Sequence, residues 1–429
     1  MPGSGEKVLL SSVDTGVDYT HPDLVANIWI NQGELPPTIT DPELFALLDI
    51  NSDGYISSLE IISNPDFLWD INGDGLVNLK DALSNELGAM SPFMDGQDND
   101  GNGYVDDLIG WDAAGTWSQS GDYDNDPFPK TEGVANNSTW AHGTHVAGIL
   151  AATSDNGLGM ASTAFNGKIM SVKTSTDGPS TDDPGIWNGY EGILYSAQAG
   201  ADAGYLTIIN NSWGGGGFSN SEQSTINTSH NTYGAIVVAA AGNGLNSGGE
   251  QYAAHYPSSY QNVLSVCPTG NNDAWNHWAT YHESIDIAAP GEGIRSTKIG
   301  GGYTSWSGSS MATPIVGSVI GLMRSINPSW DNDQLISMVL GTSNPIIYDI
   351  NTEEYLQGKL GRGRVDALVA ITTELFPKLE FIDLDLFIID DSNGEINQGE
   401  SVELRTILFN DPEWGTGYNI EGTLVLSEE

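Results

Sequence analysis

The chain has 429 residues, 39% of them apolar and 9% aromatic, which is enough to bury a core and argues against wholesale disorder. Only 13 lysines and arginines stand against 57 aspartates and glutamates, and this net charge of -44 argues against a nucleic-acid or anionic-lipid partner. A single cysteine, Cys267, excludes an intrachain disulfide framework, and no apolar run approaches the ~18 residues that span a bilayer.

Short apolar runs, most of them rich in β-branched residues, alternate with segments of helical character. The predicted strands are 8–13, 168–172, 206–210, 235–241 and 262–267, and the predicted helices are 145–152, 189–199, 221–233 and 311–326. Strands that alternate with helices predict an α/β fold with a mainly parallel central sheet covered on both faces.

Two regions depart from this alternation. Residues 36–110 are packed with Asp, Asn and Gly in a repeating pattern, which predicts an insertion. After a helical segment, the runs 379–390 and 401–409 predict the start of an immunoglobulin-like β-sandwich, although a plain polar hairpin is the alternative. We therefore predict two domains, 1–375 with the insertion inside it and a truncated 376–429.

Three short motifs each place one reactive side chain beside a turn or a helix start. Asp14 ends a predicted strand, His142 opens a helical segment, and Ser310 precedes a long apolar helix. Serine is a poor nucleophile at neutral pH and needs a histidine as general base, which an aspartate can orient. Amides at a helix start can stabilise an oxyanion, and we expect Pro314 in the first turn of that helix, where its missing N–H is tolerated.

At these motifs the chain resembles the subtilisin-like serine proteases, the subtilases, whose triad runs in the same order of Asp, His and Ser. The resemblance covers most of residues 8–373. Further matching motifs follow in the same order, at 17–24, 211–214, 239–243, 256–257, 288–291 and 361–367.

The resemblance implies a subtilisin-like three-layer fold and a serine endopeptidase that cleaves proteins or peptides through an acyl-enzyme. It implies a secreted or cell-surface location. It also implies an export signal and a prosegment, and we expect both to be missing from this chain.

The resemblance also assigns roles in substrate binding. Asn243 is expected to donate to the oxyanion together with the backbone amide of Ser310. One edge segment is expected to pair with the substrate backbone and to wall the S1 pocket, which holds the P1 side chain, and a second segment forms the opposite wall. These two walls are Ser212, Trp213 and Gly214, and Ala240, Ala241 and Gly242.

Two departures from the family pattern affect binding. His255 aligns near the base of the S1 pocket, where small residues are frequent, so the P1 preference stays open. The segment 153–161 is shorter than the calcium-binding loop of subtilisin, so we expect that metal site to be lost or altered, and the role of Asp23 stays open.

The insertion contains EF-hand-like calcium loops. Residues 49–60 match the EF-hand loop at positions 1, 3, 5, 6, 7, 9 and 12, and Glu60 can bind through both carboxylate oxygens. A second loop, 70–81, ends in Asp rather than Glu, and this ending and the close repeat resemble dockerin modules. A third loop, which starts at Asp98, has Ile109 at its twelfth position, so we expect it to use Asp107 or distant ligands.

All the predicted ligands offer oxygen, which Ca²⁺ requires. The predicted ligands are Asp49, Asn51, Asp53, Tyr55, Ser57, Glu60, Asp70, Asn72, Asp74, Leu76, Asn78, Asp81, Asp98, Asp100, Asn102, Tyr104 and Asp106. The alternative is a solvated acidic loop without metal. A dockerin-like pair can also bind a partner, but its place inside the chain favours stabilisation.

Two other functions are less consistent with the sequence. His142 and His145 could form half of a zinc site, but neither the Glu of a His-Glu-x-x-His motif nor a third ligand follows. A catalytically silent, calcium-dependent adhesion or scaffold protein is the alternative to an enzyme, and the intact triad with Asn243 argues against it.

Overall fold

The computed structural model describes residues 8–85, 90–115, 123–130, 139–177, 185–245, 247–388, 402–411 and 414–415. The chain divides into two compact units, Met1–Ile371 and Thr372–Glu429. In the smaller unit, strands Leu379–Ile388 and Val402–Asn410 pair antiparallel, with a register shift between Phe381 and Asp383. No helix in the described ranges is long and apolar enough to cross a membrane.

A seven-stranded sheet forms the centre of the larger unit, and all its strands run parallel. The strands are β1 (Val8–Asp14), β2 (Gly110–Asp112), β3 (Lys168–Lys173), β4 (Leu206–Asn211), β5 (Ile236–Ala240), β7 (Val263–Thr269) and β9 (Ile287–Pro290), in the spatial order β2-β3-β1-β4-β5-β7-β9. The predicted α/β fold with a mainly parallel sheet is confirmed.

The helices in the described ranges are α1 (Pro42–Leu48), α2 (Ser58–Ser63), α3 (Leu79–Ala82), α4 (His142–Ala151), α5 (Gly189–Asp202), α6 (Asn220–Asn231), α7 (Ser309–Ile326), α8 (Asn332–Gly341), α9 (Ile347–Ile350) and α10 (Ala367–Thr372). Of these, α4 to α7 lie against the strands of the sheet and cover both of its faces. Because side chains alternate along a strand, Leu9 and Val13 of β1 pack with α5 and α6, whereas Leu10 faces α7. This two-sided burial explains why the strands read as continuous apolar runs.

Two short strand pairs, one antiparallel and one parallel, flank the sheet. Strands β10 (Ile294–Lys298) and β11 (Gly302–Trp306) form a hairpin that leads directly into α7. Strands β6 (Gln251–Tyr252) and β8 (Thr280–Tyr281) pair in parallel.

Helix α7 begins earlier than predicted, at Ser309, so Pro314 lies in its second turn and the expectation of a first-turn proline is wrong. A proline there removes the N–H that would bond to the carbonyl of Ser310, four residues earlier. The hydroxyl of Ser212 donates to that carbonyl instead, at 2.9 Å. The helix therefore tolerates Pro314 because a side chain from the end of β4 replaces the missing donor.

Candidate active site

Asp14 and His142 meet at the carboxyl end of the sheet. Asp14 is the last residue of β1 and is 1% exposed, and His142 is the first residue of α4. The Nδ1 atom of His142 lies 2.8 Å from Oδ1 and 3.0 Å from Oδ2 of Asp14. Since an ionised carboxylate can only accept, Nδ1 carries the proton and Nε2 is left as the basic nitrogen.

Opposing effects set the basicity of His142. Burial lowers the pKa of His142, but the negative charge of Asp14 and its hydrogen bond outweigh burial and raise this pKa above the ordinary value.

The neighbouring His145 stacks on Trp306 with 4.4 Å between ring centroids, and burial lowers the pKa of His145 to about 4. His145 is therefore neutral at physiological pH, and no zinc-like cluster including it is found in the described ranges.

Ser310 lies in the first turn of α7 and is 9% exposed. Its hydroxyl donates to the carbonyl of Ser212 at 2.9 Å. As the second residue of the helix, its backbone amide has no intrahelical partner and stays available to a ligand. Catalytic hydrogen bonds are often long or unformed in ligand-free active sites, so this bond does not exclude a role for Ser310 as the nucleophile.

Asn243 is held beside Ser310 in one orientation. Its Oδ1 atom accepts from the backbone amide of Ser309 at 2.8 Å and from the Ser309 hydroxyl at 2.9 Å. Because a backbone N–H can only donate, the atom that faces it must be the amide oxygen. The Nδ2 group of Asn243 is therefore the donor end of this side chain, beside the start of α7.

The two predicted pocket walls lie on either side of the nucleophile. Ser212 contacts Ser310 through two hydrogen bonds, and the amide of Gly242 donates to the Ser309 hydroxyl at 3.2 Å. The indole N–H of Trp213 donates to the carbonyl of Val13, the residue before Asp14 in β1, at 2.8 Å. The structure thus brings together Ser212–Gly214 and the end of β5, with Ala240 and Ala241 buried.

Both carboxylate oxygens of Asp23 accept from protein donors. Its carboxylate accepts from the side-chain amide of Asn156 at 2.7 Å, from the amide of Met160 at 3.0 Å and from the hydroxyl of Tyr303 at 3.1 Å. Two of these donors, Asn156 and Met160, lie in the short segment 153–161, and the loss or alteration of the metal site there stays a prediction.

The first two loops of the insertion close around a carboxylate at their twelfth position. Glu60 accepts from the amides of Asn51 and Ser57, the third and ninth residues of the first loop, at 3.2 and 2.9 Å. Asp81 accepts from the amides of Asn72 and Asn78, at the same positions of the second loop, at 3.2 and 2.9 Å. The two loops therefore share one backbone arrangement.

The first residues of these two loops also accept the same hydrogen bond, from the glycine amide at the sixth position. Asp49 accepts from the amide of Gly54 at 2.9 Å, and Asp70 accepts from the amide of Gly75 at 3.1 Å. Both glycines have positive φ, 80° and 86°, as the sharp turn at the sixth position requires. The other carboxylate oxygen of Asp70 is buried and has no hydrogen-bond partner in the described part of the chain.

In the third loop, a residue from outside takes the closing position. Glu34 accepts from the amides of Asp100 and Asp106, the third and ninth residues, and both distances are 3.0 Å. These are the amides that bond to the twelfth residue in the other loops. Carboxylate oxygens of Glu34, Asp100 and Asp107 lie within 4.8 Å of one another.

This cluster lacks a compensating cation among the described residues. Burial raises the pKa of Glu34 to about 7, and the negative charge of Asp100 adds to the effect. Burial raises the pKa of Asp107 well above its ordinary value. The sequence suggested Asp107 or distant ligands for this loop but did not identify Glu34, and its only signal was the missing carboxylate at Ile109.

Comparisons with known proteins agree with the fold and show the family. The profile of the subtilase family, peptidase S8, matches residues 5–368. Thermitase of Thermoactinomyces vulgaris is 38% identical over 210 residues, which cover 49% of this chain and 67% of thermitase. The halolysin-like extracellular serine protease Nep of Natrialba magadii is 33% identical over 253 residues, which cover 59% of this chain and 42% of Nep.

Solved structures show the same fold. A protease from Pseudoalteromonas arctica superposes with a TM-score of 0.54 at 23% identity, covering 86% of this chain and 90% of that one. The chain therefore belongs to the subtilase family, a family of serine-type endopeptidases. It spans two thirds of thermitase but less than half of Nep.

Proposed function

We propose that this chain is a secreted endopeptidase that hydrolyses peptide bonds through an acyl-enzyme on Ser310. The observation that carries the proposal is the buried Asp14 bonded to Nδ1 of His142 at 2.8 Å, at the same sheet end as a serine in the first turn of a helix. The resemblance to proteases such as Nep, which is named as extracellular, supports secretion.

In the first step, the Ser310 hydroxyl leaves the Ser212 carbonyl and donates to Nε2 of His142. The Oγ atom attacks the peptide carbonyl carbon, a C–O bond forms, and the proton passes to Nε2. Asp14 keeps the proton of Nδ1 in place and stabilises the imidazolium. The carbonyl oxygen becomes an oxyanion that accepts from the amide of Ser310 and from Nδ2 of Asn243.

In the second step, the tetrahedral intermediate breaks its C–N bond. His142 gives its proton to the departing amine, and the acyl group stays on Ser310. A water molecule then attacks this ester while His142 takes its proton, and release of the carboxylic acid restores the hydroxyl. Each group therefore returns to its starting protonation state.

We infer that the substrate backbone pairs with the edge segment that starts at Ser212. This segment continues into four consecutive glycines, Gly214–Gly217, so the main chain is open to an extended peptide. Addition of a strand to an open edge gives affinity through backbone hydrogen bonds. The scissile carbonyl then lies between Ser310 and Asn243.

We also propose that the insertion binds Ca²⁺ at its three loops and that the metal stabilises the fold. The donor sets are carboxylate, amide and backbone carbonyl oxygens, which suit Ca²⁺, and Asp70 keeps a buried carboxylate oxygen without a protein partner among the described residues. Glu34, Asp100 and Asp107 would hold the ion of the third loop together with Asp98 and Asn102. When bound, the ion supplies positive charge that offsets the repulsion between these carboxylates.

The calcium loops connect to the catalytic unit through short contacts. The Tyr55 hydroxyl accepts from the amide of Ile30 at 2.9 Å, and the Asp107 carboxylate accepts from the Tyr195 hydroxyl at 2.7 Å. Tyr195 lies in α5, which packs on β1, the strand that ends at Asp14. Metal binding in the insertion is therefore expected to stabilise the strand that carries Asp14.

The test is cleavage of an unfolded protein substrate by the calcium-loaded chain, with products identified by mass spectrometry. We expect discrete peptides from the wild type and no cleavage above background from Ser310→Ala and His142→Ala. Ser325→Ala, a serine substitution at the far end of the same helix, is the matched control and should cleave like the wild type. Equal cleavage by Ser310→Ala would contradict the proposal.

A further inference from the structure

The ring of His255 fills the gap between the two walls beside the nucleophile. A Cβ atom added to Gly214 would overlap Cε1 and Nδ1 of this ring, and one added to Gly242 would lie 3.3 Å from its Cδ2. The imidazole therefore packs tightly against Gly214 and lies close to Gly242, where the hydroxyl of Thr280 is nearer still, at 2.7 Å from the added Cβ. The wall at Gly214 could not carry a side chain here while the ring stays in place.

This gap opens onto Ser310. One wall begins at Ser212, whose carbonyl accepts from the Ser310 hydroxyl, and the other contains Gly242, whose amide donates to the Ser309 hydroxyl. When Ser310 attacks the carbonyl of a substrate residue, the side chain of that residue points between the walls. The space it meets is the space that His255 partly occupies.

We propose that His255 closes the bottom of this pocket and restricts cleavage to substrates with a short P1 side chain, namely glycine, alanine or serine. The proposal rests on the endopeptidase function proposed above. A smaller residue at this position would leave the gap between Gly214 and Gly242 open.

The backbone around His255 is fixed on both sides. Its amide donates to the Ser259 hydroxyl at 3.0 Å, and its carbonyl accepts from the Ser258 hydroxyl at 2.7 Å. The amide of Gly215 donates to the carbonyl of Tyr256 at 2.9 Å, which ties the next residue to the substrate-binding wall.

The ring is a steric stop and not a binding group for acidic side chains. Burial lowers the pKa of His255, so the ring is uncharged at neutral pH and offers no positive charge to a P1 carboxylate. Its Nδ1 atom is buried and has no partner among the described residues, so it is shielded from a substrate as well. Size is therefore the property on which the pocket selects.

The experiment compares peptide p-nitroanilides that differ only at P1, with alanine, leucine or phenylalanine, for the wild type, His255→Gly and His255→Ala. Active enzyme is counted by titration with a small ethyl fluorophosphonate, which carries no P1-like side chain. His277→Gly is the matched control, because His277 is 77% exposed. A single methylene changes selectivity by about 10- to 200-fold, so we expect at least about 30-fold preference for alanine over phenylalanine in the wild type.

In His255→Gly, we expect the ratio of kcat/KM for phenylalanine to that for alanine to rise by at least about 100-fold, with His255→Ala between the two. His277→Gly should keep the wild-type ratio. A wild type that titrates fully yet cleaves after phenylalanine as fast as after alanine overturns the inference, even where the variants do not fold. A folded wild type that neither titrates nor cleaves any substrate overturns the proposed function instead.

Discussion

Replacement of Asp14 by asparagine tests how much the buried carboxylate contributes to catalysis. Asparagine keeps the size of the side chain but removes the charge that faces the imidazolium. Two unit charges about 4 Å apart, at an effective dielectric constant of about 20, attract by about 4 kcal/mol. This energy corresponds to about 10³ in the rate of the step that forms the imidazolium.

The substitution also affects the tautomer of His142. The asparagine amide can donate to Nδ1, which places the proton on Nε2, where the base must be free. In a serine protease of a different fold, the corresponding change costs about 10⁴ in kcat. We therefore expect kcat of Asp14→Asn to fall by between about 10³ and 10⁴.

The pH profile gives an independent readout. Asp14 raises the pKa of His142 against the opposing effect of burial, so its removal lowers that pKa. Since the base must be neutral, the acid limb of kcat/KM should move to lower pH in Asp14→Asn. The assay is hydrolysis of an alanine p-nitroanilide across the acid limb, with Asp333→Asn, whose side chain is 61% exposed, as control. A loss below about tenfold, or an acid limb that stays in place, would refute this reasoning.

Three further changes have defined outcomes. Asn243→Ala should lower kcat by about 10² to 10³ with little change in KM, which is the loss seen in subtilisin when such a donor is removed. Initial rates over a range of substrate concentrations measure both constants, and an unchanged kcat would exclude the oxyanion role. Glu34→Gln should weaken calcium binding at one site at least about tenfold by calorimetry, unlike the exposed Glu43→Gln, and equal isotherms would remove Glu34 from the site. Lys173→Met removes the fully buried cation that lies 2.9 Å from the buried Asp112 and leaves only Lys130 beside that carboxylate, at 3.5 Å. The free energy of unfolding, measured in urea, should fall by about 3 kcal/mol. A loss below about 1 kcal/mol would show that Asp112 is protonated or hydrated instead.

Periodicity alone predicted most of the central sheet. The runs that became β1, β3, β4, β5 and β7 are short, apolar and bounded by turns, because a parallel sheet covered on both faces buries both sides of each strand. The start of α7 was harder to predict. Its first turn begins with Ser309 and Ser310, two polar residues that do not continue the apolar periodicity of the helix. The predicted start is therefore two residues late, and Pro314 lies in the second turn, not the first.

Contacts between residues far apart in the chain could not be predicted from the sequence. Glu34 completes the third loop from more than sixty residues away, and its own neighbourhood contains no calcium motif. The stacking of Trp306 on His145 depends on how the hairpin β10–β11 folds over α4. The alignment placed His255 near the pocket, but only the packing against two glycines fixes where its ring lies.

The most direct test of the central claim is covalent labelling of Ser310. The calcium-loaded chain, shown to be folded by near-UV circular dichroism, is treated with a fluorophosphonate, and the adduct is mapped in the wild type, Ser310→Ala and Ser309→Ala. The account predicts one adduct, on Ser310, that is absent from Ser310→Ala and still on Ser310 in Ser309→Ala. No adduct on folded wild type, or an adduct that persists in Ser310→Ala, would contradict it.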